Sequence, residues 1–138
     1  MTVMSQLDML VVRTAGQVLD PAALGSMEFG AAELGVPLIT VLGHQKCGAV
    51  TATAEALEAG ATAEGSIGAV ISSIALAVRA SSGEGDELID AAVRLNIVNV
   101  VNKLRKSPIL KELEESGELV IAGAHYTLES GIADFVVV

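Results

Sequence analysis

Pro37-Leu-Ile-Thr-Val-Leu-Gly-His-Gln-Lys-Cys-Gly-Ala-Val50 decides how this chain is read. Val36 to Leu42 is apolar throughout apart from Thr40, the pattern of a strand covered on both faces in a parallel sheet. The residues after Cys47, through about Glu58, read as a helix closed by Gly60. A buried strand therefore delivers an imidazole, His44, and a thiol, Cys47, onto a loop that enters a helix N-terminus. Both groups suit zinc, but a zinc site takes three or four protein ligands. The chain has one cysteine and two histidines in all, so His44 and Cys47 leave only His125 of those residue types.

Working outward, Met9-Leu-Val-Val-Arg-Thr14 is β-branched and apolar and predicts a short buried strand, ended by a turn at Ala15-Gly16. Asp20-Pro21 predicts a helix N-cap followed by proline in the first turn, with the helix running to about Leu34 and stopped by Gly35. Apolar spacing predicts helices over 65–80 and 86–106, separated by the loop Ser81-Ser-Gly-Glu-Gly85. A short helix is expected over 108–115. Strands are expected over 118–126 and 132–138, the last antiparallel to its neighbour across a tight connection. Alternating strands and helices make this an α/β fold, a mainly parallel sheet flanked by helices, in one domain spanning 1–138. In such sheets ligands sit beyond the carboxyl ends of the strands, where His44 and Cys47 fall.

Composition narrows the partners. A net charge of −9 disfavours a nucleic-acid backbone or an anionic membrane. Aromatics at 2% are too few for base-stacking platforms. The one basic cluster, Lys103-Leu-Arg-Lys106, reads as the cationic last turn of a helix. The mean hydropathy of +0.59 is that of a folded chain that buries much surface in itself or in copies. No apolar run approaches the roughly 20 residues of a membrane span. No basic, apolar leader marks the N-terminus, and a lone cysteine fits a reducing cytoplasm, so a cytoplasmic location is expected.

Four stretches carry a resemblance to a known family: Leu10-Val-Val-Arg-Thr-Ala-Gly16, Gly25-Ser-Met-Glu-Phe29, Leu34 through Val50, and Ile121-Ala-Gly-Ala-His-Tyr-Thr-Leu-Glu-Ser-Gly131. Together they resemble the beta-class carbonic anhydrases, and the Gly-His-x-x-Cys-Gly block after its strand is the most specific of them. The resemblance implies that His44 and Cys47 match two of three protein zinc ligands. The third family ligand is the cysteine of a Cys-x-Asp-x-Arg motif on an earlier strand, whose aspartate gates the fourth zinc position and whose arginine holds that aspartate. The motif has no counterpart here, so the chain reads as a family member that begins one strand late. The vacant sheet position is then expected to be filled by Met9–Thr14 sliding across or by a strand from a partner subunit.

The family reaction is the reversible hydration of carbon dioxide to bicarbonate by zinc-bound hydroxide. With two of three ligands, zinc affinity and hydratase activity are expected to be weak or lost. A structural zinc site is worth about 10–16 kcal/mol, shared among its few bonds. His125 is the first candidate for a replacement third ligand, followed by Asp8 or a group from a second subunit. The resemblance also implies a homodimer or larger, with carbon dioxide, bicarbonate or another small anion as ligand. Gly43, Gly48 and the Cys47–Ala49 backbone are candidates for an anion nest at the helix start. Arg13 and Gln17, flanking the first turn, are candidates to contact the anion. The competing readings are a non-catalytic anion-binding or assembly module with the same fold, and a cysteine hydrolase using Cys47 with His44 as base. For the hydrolase, no orienting carboxylate is evident. Asn96, Asn99 and Asn102 read as a polar helix face.

Overall fold

A computed structural model describes residues 9–138. The helix α1 spans Pro21–Ala32, and the Asp20 carboxylate accepts from the Ala23 N–H at 2.7 Å, the cap that Asp-Pro foretold. The strand β1 spans Leu38–His44, and α2 (Gly48–Ala59) begins at Cys47 and ends at Gly60 in the left-handed conformation. Three more helices follow: α3 (Ile67–Ala80), α4 (Gly85–Leu104) and α5 (Pro108–Glu115). The strands β2 (Val120–Tyr126) and β3 (Ala133–Val137) close the chain. No helix of the described residues is long and apolar enough to cross a membrane.

The sheet has the order β1-β2-β3. β1 and β2 are parallel, in register from Leu38 opposite Val120 to His44 opposite Tyr126. β3 is antiparallel to β2, with an irregularity at Gly123/Ala124, as the tight connection required. Along β1 burial alternates strictly: Ile39, Val41 and Gly43 are buried, and Leu38, Thr40, Leu42 and His44 are exposed. The expectation of a β1 covered on both faces is therefore corrected. One face packs on the core while the other stands open.

Met9–Thr14 forms no strand, which corrects the second expectation. It runs without sheet pairing into a single 3-10 turn at Ala15–Gln17. A β-branched run has no strand identity until a neighbour accepts its backbone hydrogen bonds, and among the described residues none does. Nor does the segment slide against β1, whose outer edge is paired by no strand among the described residues.

The core forms where α4 crosses the buried face of β1 and β2. Ile97, Val93, Val101 and Leu104 of α4 are fully buried there with Ile121. Two glycines permit the approach. A Cβ on Gly43 would lie 2.7 Å from Ile97 Cδ1, and one on Gly123 would also collide with Ile97. The basic cluster is not merely a solvated last turn, because Arg105 pairs with Glu114 at 3.1 Å and donates to the Ile121 carbonyl at 3.1 Å. Ser107 Oγ donates to Glu28 Oε1 at 2.6 Å and joins α5 to α1.

Candidate functional site

His44 is the last residue of β1 and is exposed. Its Nδ1 lies 2.9 Å from the Gln45 carbonyl oxygen, which can only accept, so Nδ1 carries the proton. That leaves Nε2 with its lone pair outward, the state in which a histidine binds a metal while its other nitrogen is held by a carbonyl. The turn that follows is tight: Lys46 is in the left-handed region at φ +55°. Gln45 ties this loop to the end of β2, since its N–H donates to the Tyr126 carbonyl at 2.9 Å and its Oε1 accepts from the Leu128 N–H at 3.2 Å.

Cys47 is 3% exposed and occupies the N-cap of α2 without capping it through its side chain. The thiolate is the form of cysteine that ligates zinc. The first-turn N–H groups of α2 therefore lack a side-chain acceptor from the cap residue. Gly48 opens that turn with nothing within 4 Å of a Cβ position. Gly43 does not belong to this nest. It lies within β1, in register with His125, and its missing side chain serves Ile97.

His125 is not brought to His44. Gly43 opposes His125, and His44 opposes Tyr126, so the two histidines are one step out of register on adjacent parallel strands and face opposite sides of the sheet. His125 is 1% exposed and sits against α4. Its Nε2 is 2.9 Å from Asp90 Oδ1, off the hydrogen-bonding direction, and its Nδ1 is 3.2 Å from the Arg94 guanidinium. Burial lowers its pKa below the ordinary 6.5, and Arg94 lowers it further, against the opposing pull of Asp90 and Asp134. Among the described residues no three His, Cys, Asp or Glu side chains converge on a metal position. The zinc test is thus met by two donors, His44 and Cys47, and by no third within 9–138. Asp8 lies outside the described residues.

Arg13 is exposed, on the wall of the groove that His44 also lines. Gln17 adopts φ +41°, and its Nε2 is buried without an acceptor beside Gly43. The turn is anchored by a residue the sequence reading placed on a polar face. Asn96 is 3% exposed, and its Nδ2 donates to the Gly16 carbonyl at 2.9 Å. Asp90 and Arg94, paired at 2.8 Å one turn apart on α4, were also missed as neighbours of His125. Their i, i+4 spacing was the available signal.

Comparison with known proteins bears on this pair of donors. A family model described as carbonic anhydrase matches residues 1–133. The chain belongs to the carbonic anhydrase family. It is 39% identical over 127 residues to carbonic anhydrase 2 of Mycobacterium tuberculosis, covering 91% of this chain and 61% of that protein. It is 36% identical over 125 residues to a carbonic anhydrase of Mycolicibacterium smegmatis, covering 90% and 61%. The chain thus spans about 61% of the length of these curated relatives. Its fold is that of the beta class. A Coccomyxa beta-carbonic anhydrase solved with acetazolamide superposes with a TM-score of 0.74 at 23% identity, covering 90% of this chain and 59% of that one. One of two tetrameric beta-carbonic anhydrases from Sordaria macrospora gives 0.75 at 17% identity, covering 88% and 64%. Membership in the family, with the α/β fold it implies, is what the four sequence stretches foretold.

Proposed function

We propose that this chain carries the zinc-binding half-site of a beta-class carbonic anhydrase, with His44 Nε2 and the Cys47 thiolate as its donors. The observation that supports this is the state of the pair: Nδ1 of His44 is held by the Gln45 carbonyl at 2.9 Å, and Cys47 is buried at the start of α2. When bound, zinc would acidify a water molecule for attack on carbon dioxide. The chain's own residues orient the imidazole and shield the sulfur from water. With two donors, zinc is held weakly, and hydration of carbon dioxide to bicarbonate by the chain alone is weak or absent. A third donor from outside residues 9–138 would raise both. The working form is a homodimer or larger assembly in a reducing compartment.

Metal analysis beside a stopped-flow hydration assay, with and without added zinc, tests the reading. We expect zinc well below one per chain after chelator treatment, and hydration near the uncatalysed rate. One chelator-resistant zinc per chain with full turnover would overturn it. A second reading is favoured by one observation, the uncapped start of α2. There the Gly48–Val50 N–H groups bind bicarbonate or a similar anion without metal, and the protein is a binding or assembly module. Bicarbonate titration of metal-free protein, followed at the Gly48 and Ala49 amides, distinguishes it.

A further inference from the structure

Three polar groups of Gln45 converge on the loop that carries His44. Its N–H donates to the Tyr126 carbonyl at 2.9 Å, one step beyond the last register pair of β1 and β2, His44 opposite Tyr126. Its carbonyl accepts from His44 Nδ1 at 2.9 Å. Its side-chain Oε1 accepts from the Leu128 N–H at 3.2 Å, across 83 positions of sequence. Leu128 opens the turn between β2 and β3. That turn is closed on itself, since Thr127 N–H donates to the Ile132 carbonyl and Gly131 N–H to the Thr127 carbonyl, both at 2.9 Å. The Gln45 side chain thus ties the loop to a hydrogen-bonded hairpin end.

The tie has strain to hold. Lys46, the next residue, sits at φ +55°, a left-handed conformation that costs an L-residue free energy. Cys47 beyond it is fixed at the N-cap of α2. Relaxation of Lys46 to negative φ would therefore rotate the peptide unit between Gln45 and Lys46. That unit carries the carbonyl on which His44 Nδ1–H rests. Lys46 Nζ also reaches Glu129 Oε1 at 3.8 Å, but both side chains are more than half exposed, and such a pair holds little. The Leu128 bond is the stronger side-chain restraint. Without the carbonyl, a neutral imidazole carries its proton on either nitrogen. Protonated at Nε2, it has no lone pair there to offer.

We propose that Gln45 is a positioning residue: by tying the loop to Leu128, its side chain keeps the Gln45 carbonyl on His44 Nδ1 and leaves Nε2 free as a donor. The use of that lone pair rests on the zinc reading of His44, whereas the tautomer is a property of the metal-free chain. His125 supplies the contrast. Its Nδ1 faces the Arg94 guanidinium at 3.2 Å, a group that only donates, so its proton belongs on Nε2. The chain's two histidines are thus held in opposite tautomers by their neighbours.

Long-range nitrogen–proton correlation spectra of the metal-free full chain, at about pH 8 where ordinary imidazoles are neutral, read both tautomers. The parent should show His44 protonated at Nδ1 and His125 at Nε2. Gln45→Met, similar in length but without an acceptor, should give a mixed or Nε2-protonated His44. Leu128→Pro removes the donor at the other end, in a turn position that accepts proline, and should shift His44 the same way. Gln45→Glu keeps an acceptor oxygen and should retain the parent pattern. His125 should be unchanged in all three. Zinc affinity should fall about two- to tenfold in Gln45→Met and in Leu128→Pro, the effect of one neutral hydrogen bond. A His44 still protonated only at Nδ1 in Gln45→Met overturns the proposal, as does a parent His44 protonated at Nε2. A lowered unfolding midpoint in Gln45→Met with no tautomer change also overturns it, because a merely structural bond gives that result. If Gln45→Met does not fold, Leu128→Pro decides by the same criterion. A parent that takes up no zinc, while the tautomers shift as stated, overturns the zinc reading and leaves the role of Gln45 standing.

Discussion

His44 and His125 stand on adjacent parallel strands, one register step apart, and point to opposite faces of the sheet. The step is small in sequence and decisive in chemistry. A strand alternates faces with every residue, so no rotamer change brings the two imidazoles to one ion. His125 instead joins Asp90 and Arg94 under α4. Among the described residues, the candidate metal pair draws its donors from one loop.

Metal content should separate these roles. His44→Ala and Cys47→Ser should each remove the residual zinc uptake of the chain, since each deletes one of two donors. His125→Ala should leave zinc uptake at the parent level. Elemental analysis after equilibration with equal zinc checks all three, and a fall in zinc for His125→Ala would return that residue to the site.

His125→Ala should cost stability instead. It removes a fully buried side chain and leaves a cavity under α4, while Asp90 and Arg94, both about 40% exposed, keep their own ion pair. Urea unfolding should show a loss of about 2–5 kcal/mol, the range for truncating a large buried side chain to alanine.

The same residue sets a pH dependence. Its folded pKa lies below the unfolded 6.5, so the unfolded state takes up the proton first as pH falls. The stability contribution of neutral His125 is fully present above the unfolded value. It is lost progressively as pH drops below about 6.5 toward the lower folded value, and levels off beneath it. Unfolding midpoints compared at pH 7.5 and pH 5.5 should fall in the parent and fall less in His125→Gln. An equal fall in both would assign the effect to other groups.

Gly43→Ala tests the packing that holds β1 against α4. A Cβ there meets Ile97 Cδ1 at 2.7 Å in a packed core. The expected cost is about 1–3 kcal/mol, the range for overpacking. Adding Ile97→Val should recover part of it, because the second change removes a methylene at the point of contact. A neutral Gly43→Ala in thermal unfolding would mean α4 sits further from the sheet.

Asp20→Ala should destabilise by about 1 kcal/mol through loss of the cap on Ala23 N–H. Circular dichroism should show the helices retained at low temperature, with a lowered melting midpoint.

Local chemistry was legible in the chain. Asp20-Pro21 capped its helix where expected, Gly60 closed α2, and Pro108–Glu115 formed the predicted short helix. These features depend on residues within a few positions of one another, so the sequence carries them complete. The same holds for His44 and Cys47, three residues apart on a strand-to-helix loop. Family membership was likewise readable, because it rests on the order of residues along the chain.

What tertiary structure decided was pairing and facing. Met9–Thr14 has strand composition and no strand, because a ladder needs a neighbour that composition does not specify. Asn96 looked like part of a polar helix face, yet it is buried and holds the Gly16 carbonyl 80 positions away. Whether His125, a candidate third donor, shares a face with His44 depends on a parity that only the β1–β2 register fixes. Short-range spacing is set by the covalent chain. Which face a side chain shows, and whether an extended segment finds a partner, are set by contacts between residues far apart in sequence.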